Sequence, residues 1–204
     1  MGNIAPGVLY RSSSPIDPKQ GERRFVADRL VKAAGVKTVV NTSDCRFRFK
    51  GFEGFDDTHY ATLDHVALNM GRNYPSQAYL EDIRNGLDFL GETQGPYLIH
   101  GTQGAERAGY VCMVLEALMG ASKEDILADY MRSYADNYQV SPDSETWQVL
   151  EDQATGYLML FTGIWDRSKL DSADLAQATE GYLLQTVGLT QKQVDDLKAH
   201  LAGK

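Results

Sequence analysis

The stretch His100-Gly101-Thr102-Gln103-Gly104-Ala105-Glu106-Arg107-Ala108-Gly109 lies between a wholly apolar run, Pro96-Tyr97-Leu98-Ile99, and a near-continuous hydrophobic run from Arg107 to Met119. The short run suits the middle strand of a parallel sheet, and the longer one suits a buried helix. A tight turn leading from strand into helix aims several backbone N–H groups into one concavity. The helix dipole adds positive potential there, so the turn favours a phosphate dianion. Gly104 permits a left-handed or closely approached backbone at the turn. Arg107, at the start of the helix, carries a planar fork that grips two phosphate oxygens at once, which lysine does not reproduce. Thr102, Gln103, Gly104, Ala105, Glu106 and Arg107 are therefore the expected phosphate-binding positions.

Working outward, Val8-Leu9-Tyr10 reads as a short strand ending in the turn-rich Ser12-Ser13-Ser14-Pro15. From about Gln20 to Ala34, Phe25, Leu30, Val31 and Ala34 recur at helical spacing among charged residues, and Gly35 supplies a stop. The β-branched run Val36 to Asn41 predicts a strand, followed by the polar Thr42-Ser43-Asp44. The segment from Cys45 to His59 has no steady period and reads as a long loop or irregular excursion. A further strand is expected over Ala61 to Leu68. A helix is expected over Pro75 to Leu90, with Tyr79, Ile83, Leu87 and Leu90 as its apolar stripe. After Gly120, Ser122-Lys123-Glu124-Asp125 has the capping-box pattern and opens a helix through Tyr134. Helices near Ser144 to Phe161, Ser172 to Val187 and Thr190 to Ala202 complete the chain. The expected fold is α/β, a mostly parallel central sheet flanked by helices with a mainly helical C-terminal half, in a single domain over residues 1–204.

The composition, 204 residues at 43% hydrophobic and 24% charged, fits one sizeable core. No run reaches the length of a membrane span, and the first residues lack a basic stretch followed by an apolar one. A cytoplasmic location is the default expectation, with an upstream signal left open if the chain is a piece of a longer one. Cys45 and Cys112 cannot form the disulfide framework of a small secreted scaffold, and Cys112, within Val111-Cys112-Met113-Val114-Leu115, reads as a buried small hydrophobe. The histidines His59, His65, His100 and His200 show no zinc-site spacing, so no metal and no cofactor are expected. A net charge of -8 argues against broad nucleic-acid binding and leaves room for a small anion where positive charge is local. Arg46, Arg48 and Lys50, interleaved with Phe47, Phe49 and Phe52, admit two readings: a solvated loop with anchoring rings, or a rim that holds a phosphorylated aromatic or polyanionic substrate.

The loop resembles the signature of the cysteine-dependent protein tyrosine and dual-specificity phosphatases: His-Cys, five residues, then Arg, commonly with a central Gly and a Ser, Thr or Ala after the Arg. His100, Gly104, Arg107, Ala108 and Gly109 match. Tyr10-Arg11-Ser12-Ser13, Val36 to Asp44 and Tyr182-Leu183 through Gly188-Leu189-Thr190 resemble further segments of bacterial members in the same order. The resemblance implies a two-step reaction. A low-pKa thiolate attacks phosphorus, a carboxylic acid protonates the leaving oxygen, and water hydrolyses the phosphocysteine. The thiolate belongs at position 101, where this chain has Gly101. Turnover of the family type is therefore expected to be lost while phosphate binding survives. Thr102 is adjacent but has no neighbouring base to activate it. Some bacterial relatives carry Lys-Asp before the Arg, where this chain has Ala105 and Glu106; the missing lysine puts any inositol-phosphate or phosphoinositide preference in doubt.

Asp64, in Leu63-Asp64-His65-Val66, is the first choice for general acid by resemblance to phytase-like members, and Asp44 is the second. His100 is implied to orient the loop by hydrogen bonds. Arg11 either reaches the site or pairs internally. The expected partner is a phosphorylated substrate or ligand, whether phosphotyrosine, phosphoserine or phosphothreonine, or an inositol phosphate. Two readings of Gly101 stay open: an engineered or recent substitution in a phosphatase, and a natural pseudophosphatase that binds phosphorylated ligands.

Overall fold

A computed structural model describes residues 2–71 and 73–204, with Arg46 described by its backbone alone. The Arg46 side chain, one member of the basic and aromatic cluster, thus lies outside the described residues.

Four parallel strands, β1 (Leu9–Ser13), β2 (Thr38–Asn41), β3 (Asp64–Ala67) and β4 (Tyr97–Gly101), form a sheet in the order β1-β4-β2-β3. β2 and β4, flanked on both sides, are buried at every position. Their side chains alternate between two layers, as the two-residue strand period requires. Val40, Tyr97 and Ile99 enter a core with α3 (Gln77–Glu92) and α4 (Glu106–Leu118), whereas Val39 and Leu98 enter one with Val31, Phe49, Phe55 and Tyr60.

β1 extends further than the sequence implies. Arg11, Ser12 and Ser13 stay in register with Ile99, His100 and Gly101, because ladder hydrogen bonds to β4 outweigh the turn preference of serine. The predicted helix appears as α1 (Glu22–Ala33), but its buried face is Ala27 and Val31. Phe25 and Leu30 face outward, at 38% and 64% exposure. The 45–59 segment is more ordered than a loop: α2 (Arg46–Phe49) and a 3₁₀ turn at Phe55–Asp57 bury Phe49 and Phe55 under the sheet. Phe47 is 91% exposed.

α4 runs through the centre of the helical half, buried from Ala108 to Leu118. Around it lie α5 (Lys123–Tyr138), α6 (Glu145–Thr162), α7 (Leu175–Tyr182) and α8 (Gln191–Leu201). Ser122 caps α5 as the sequence signals, accepting from the Asp125 amide, though without the return half of a capping box; Ser144 caps α6 through the Trp147 amide, and Thr190 forms a full capping box with Gln193. Among the described residues no helix is long and apolar enough to cross a membrane.

Candidate functional site

All four strands run the same way, so their C-terminal ends share one edge of the sheet, where connecting loops converge to form ligand crevices. The turn from His100 to Arg107 starts there. Its backbone is held from behind. The Thr42 amide and hydroxyl donate to His100 O at 2.8 and 2.9 Å, and the Ser14 amide donates to Thr102 O at 3.1 Å. Asn137 Nδ2 donates to Gln103 O at 2.8 Å, and Gly104 O accepts from Arg11 Nη1 at 2.8 Å and Ser133 Oγ at 3.1 Å. Ala105 O accepts from the Gly109 amide. With the carbonyls turned outward, the amides are left over: among the described residues no acceptor takes the N–H of Thr102, Gln103, Gly104 or Ala105. Ala105, at the N-terminus of α4, offers no side-chain cap. Uncommitted amides at a helix start form an anion-binding nest.

The two loop glycines differ in kind. Gly104 has φ +69°, and a Cβ there would lie 2.2 Å from Ser12 O, so only glycine fits. Gly101 is not in the left-handed region. A Cβ there would meet Thr42 Oγ1 at 3.0 Å and otherwise only Gly104 N at 3.9 Å, so the backbone accommodates a side chain with a shift of a few tenths of an ångström at one hydroxyl. Nothing in the fold requires glycine at 101.

Arg107 Nη1 donates to Met70 O at 3.0 Å and to Thr42 O at 3.4 Å. Thr42 is also the neighbour of Gly101, so the guanidinium is anchored at the wall beside position 101. Among the described residues its Nε and Nη2 have no hydrogen-bond acceptor.

His100 is fully buried. Nε2 lies 3.0 Å from Tyr60 Oη and Nδ1 lies 3.4 Å from Gly101 O. Burial holds its pKa down to about 4, so the imidazole is neutral and fixes the strand end rather than carrying charge. Tyr60 is missing from the sequence reading. The aromatic cluster of Phe49, Phe55 and Tyr60 that brings it beneath the loop has no periodic signal.

The two expected acids part company. Asp64 is the first residue of β3, opposite Thr38, which is itself opposite Tyr97 at the start of β4. Gly101 is at the other end of β4, roughly 13 Å along the sheet at the rise of a parallel strand. Asp64 is exposed there and does not enter the site. Asp44 follows β2 at the correct edge. It is buried, with Oδ2 accepting from Ser43 Oγ at 3.1 Å and Asn41 Nδ2 at 3.4 Å. Glu106 and Arg107 are both half-buried in the first turn of α4.

Arg11 pairs internally, with Asp129 Oδ2 at 2.8 Å, and clasps the loop from behind through Gly104 O. It also donates to Ser133 Oγ and Asp129 O. Asp129, Ser133 and Asn137 are the residues the sequence reading missed. Their four-residue spacing places them on one face of α5, and that polar stripe is the signal that was there to be found. Cys112 is buried as expected, and burial pushes its thiol well above the ordinary range, so it is inert as a nucleophile.

A sequence model of the tyrosine phosphatase family matches residues 55–203, which include the loop, Arg107 and every helix from α3 onward. The Arg11 and Val36 to Asp44 segments lie outside that span. No curated protein matches the chain.

Proposed function

The chain belongs to the tyrosine phosphatase family, and from that premise we propose that its His100–Arg107 loop binds the phosphoryl group of a phosphorylated ligand while Gly101 leaves it without turnover. The reading is carried by the four uncommitted amides from Thr102 to Ala105, whose loop carbonyls are held by Ser14, Asn137, Arg11 and Ser133. Three phosphoryl oxygens would take these N–H groups, and the Nε and Nη2 edge of Arg107 would supply the charge-assisted bonds. His100, neutral and hydrogen-bonded to Tyr60, positions the strand end. The thiolate step is missing, because Gly101 has no atom that could form a bond to phosphorus.

Replacement of a cysteine in an otherwise intact phosphatase is the reading we favour, since φ at 101 does not call for glycine and a side chain there needs a shift of only a few tenths of an ångström at Thr42 Oγ1. Gly101→Cys is expected to gain hydrolysis of p-nitrophenyl phosphate by at least about 10³-fold over the unaltered chain. Adding Arg107→Met should abolish the gain. Continued silence of Gly101→Cys, with vanadate still binding, would instead favour a natural phospho-ligand binding protein.

For the restored enzyme we assign the acid role to Asp44, the only one of the two expected carboxyls at the loop edge. A general acid matters most for a poor leaving group. Asp44→Asn in the Gly101→Cys background should therefore slow phenyl phosphate at least about tenfold more than p-nitrophenyl phosphate. Equal slowing of the two substrates would remove Asp44 from that role.

A further inference from the structure

Beside β1, and sharing Gln103 with the loop, a groove of about 890 Å³ opens between α1 and α5. Its mouth is lined by the exposed Val26 and Leu30 of α1 and by Arg132 and Asp136 of α5. Ala27, Val31, Val36 and Leu98 form apolar walls, and the size is that of a small-molecule site. Two of its lining residues, Arg11 and Glu116, carry buried polar atoms that the fold does not use. Both carboxyl oxygens of Glu116, a residue 1% exposed in the middle of α4, have no hydrogen-bond partner, and neither does the buried Nε of Arg11. The remaining nitrogens of Arg11 are committed to Gly104 O, Ser133 and Asp129, and no hydrogen bond of ordinary geometry joins Glu116 to Asp129. Buried polar groups left this way are costly and call for a partner.

We propose that this groove is a second ligand site, for a compound with a compact apolar body and an uncharged amide head that meets Glu116 and Arg11. Burial first, and the charge of Asp129 second, raise the Glu116 carboxyl to about 9, so at neutral pH it presents one O–H donor beside one acceptor. With the Arg11 Nε–H, the pair offers two donors and one acceptor. A carboxamide is their complement: its oxygen accepts twice and its N–H donates to the Glu116 carbonyl oxygen. An amine has no acceptor for the two donors, and a carboxylate has no donor for Glu116 and adds a negative charge beside Asp129. The aliphatic side chains of α1 cover the body.

Benzamide, benzylamine and benzoate share one ring and differ in the head, and their titration into the ¹⁵N-labelled chain at pH 7 tests the assignment. Benzamide is expected to shift the backbone amides of Ala27, Val31 and Ser133 saturably, at lower concentration than either analogue. Glu116→Met, which removes the head's partner but keeps an apolar side chain of similar length, should weaken benzamide about tenfold or more. Leu30→Asp, at an exposed position that leaves the core untouched, should weaken it by about fivefold or more through the lost wall, and reports even if the Glu116 variant does not fold. Absence of saturable shifts in α1 and α5, tighter binding of benzylamine or benzoate there, or a smaller effect of either folded variant would overturn the proposal.

Discussion

Within the loop, one atom of Thr42 carries more than its size suggests. Its hydroxyl donates to His100 O, stands 3.0 Å from where a Cβ at position 101 would be, and belongs to the residue whose carbonyl accepts from Arg107. The strand end, position 101 and the guanidinium therefore share a wall, next to His100. With its folded pKa near 4 against an ordinary 6.5, His100 binds fewer protons in the folded chain than in the unfolded one between those values. Stability must then rise with pH across that window and fall as pH drops through it, by up to roughly 3 kcal/mol from this residue. His100→Gln should flatten the slope between about pH 4 and 6.5 in denaturant titrations, and an unchanged slope would show that the ring is not held neutral by burial.

At the scale of elements, the loop is a joint product of β1, β4, α4 and α5, although its sequence signature is confined to β4 and α4. Ser14 of the β1 exit, Arg11 of β1 itself and Ser133 and Asn137 of α5 hold the outward carbonyls. Removing one donor leaves a buried carbonyl unpaired at a cost of about 1–3 kcal/mol. Asn137→Leu with Ser133→Ala should accordingly weaken vanadate binding, with far-UV circular dichroism unchanged; unaltered binding would mean the loop is held by α4 alone. This division of labour also explains what could be read in advance. The strand and helix around the loop announce themselves because Pro96 to Ile99 is wholly apolar and Arg107 to Met119 nearly so, and the N-cap Ser122 is a local signal. Asp64 was misplaced because a resemblance in Asp-His-Val says nothing about which end of a strand faces the site, and only the register with Thr38 and Tyr97 does. The face of α1 was misread for a related reason: the sheet needs only the small Ala27 and Val31 beneath it, leaving Phe25 and Leu30 outside.

Across the whole molecule, the buried ionisable groups set opposite limits on pH. Glu116, raised to about 9 from 4.5, binds more protons folded than unfolded between those values, so its contribution is intact below 4.5 and is lost as pH rises towards 9. Arg11 moderates that loss, and burial and Asp129 impose it. Glu116→Met should therefore stabilise the chain above pH 4.5, by an amount that grows towards pH 9 and reaches a few kcal/mol, since replacing a buried unpaired acid by an apolar side chain removes its desolvation cost. Equilibrium unfolding of both proteins at pH 5 and pH 8.5 measures the difference; an equal gain at both pH values would indicate packing rather than ionisation.

The grip of Arg11, Ser133 and Asn137 on the reverse of the loop bears, finally, on how quickly an anion is caught. On the proposed reading the loop is ordered before an anion arrives, so vanadate capture should proceed in one kinetic phase whose rate stays linear in anion concentration, with no plateau marking a slower rearrangement.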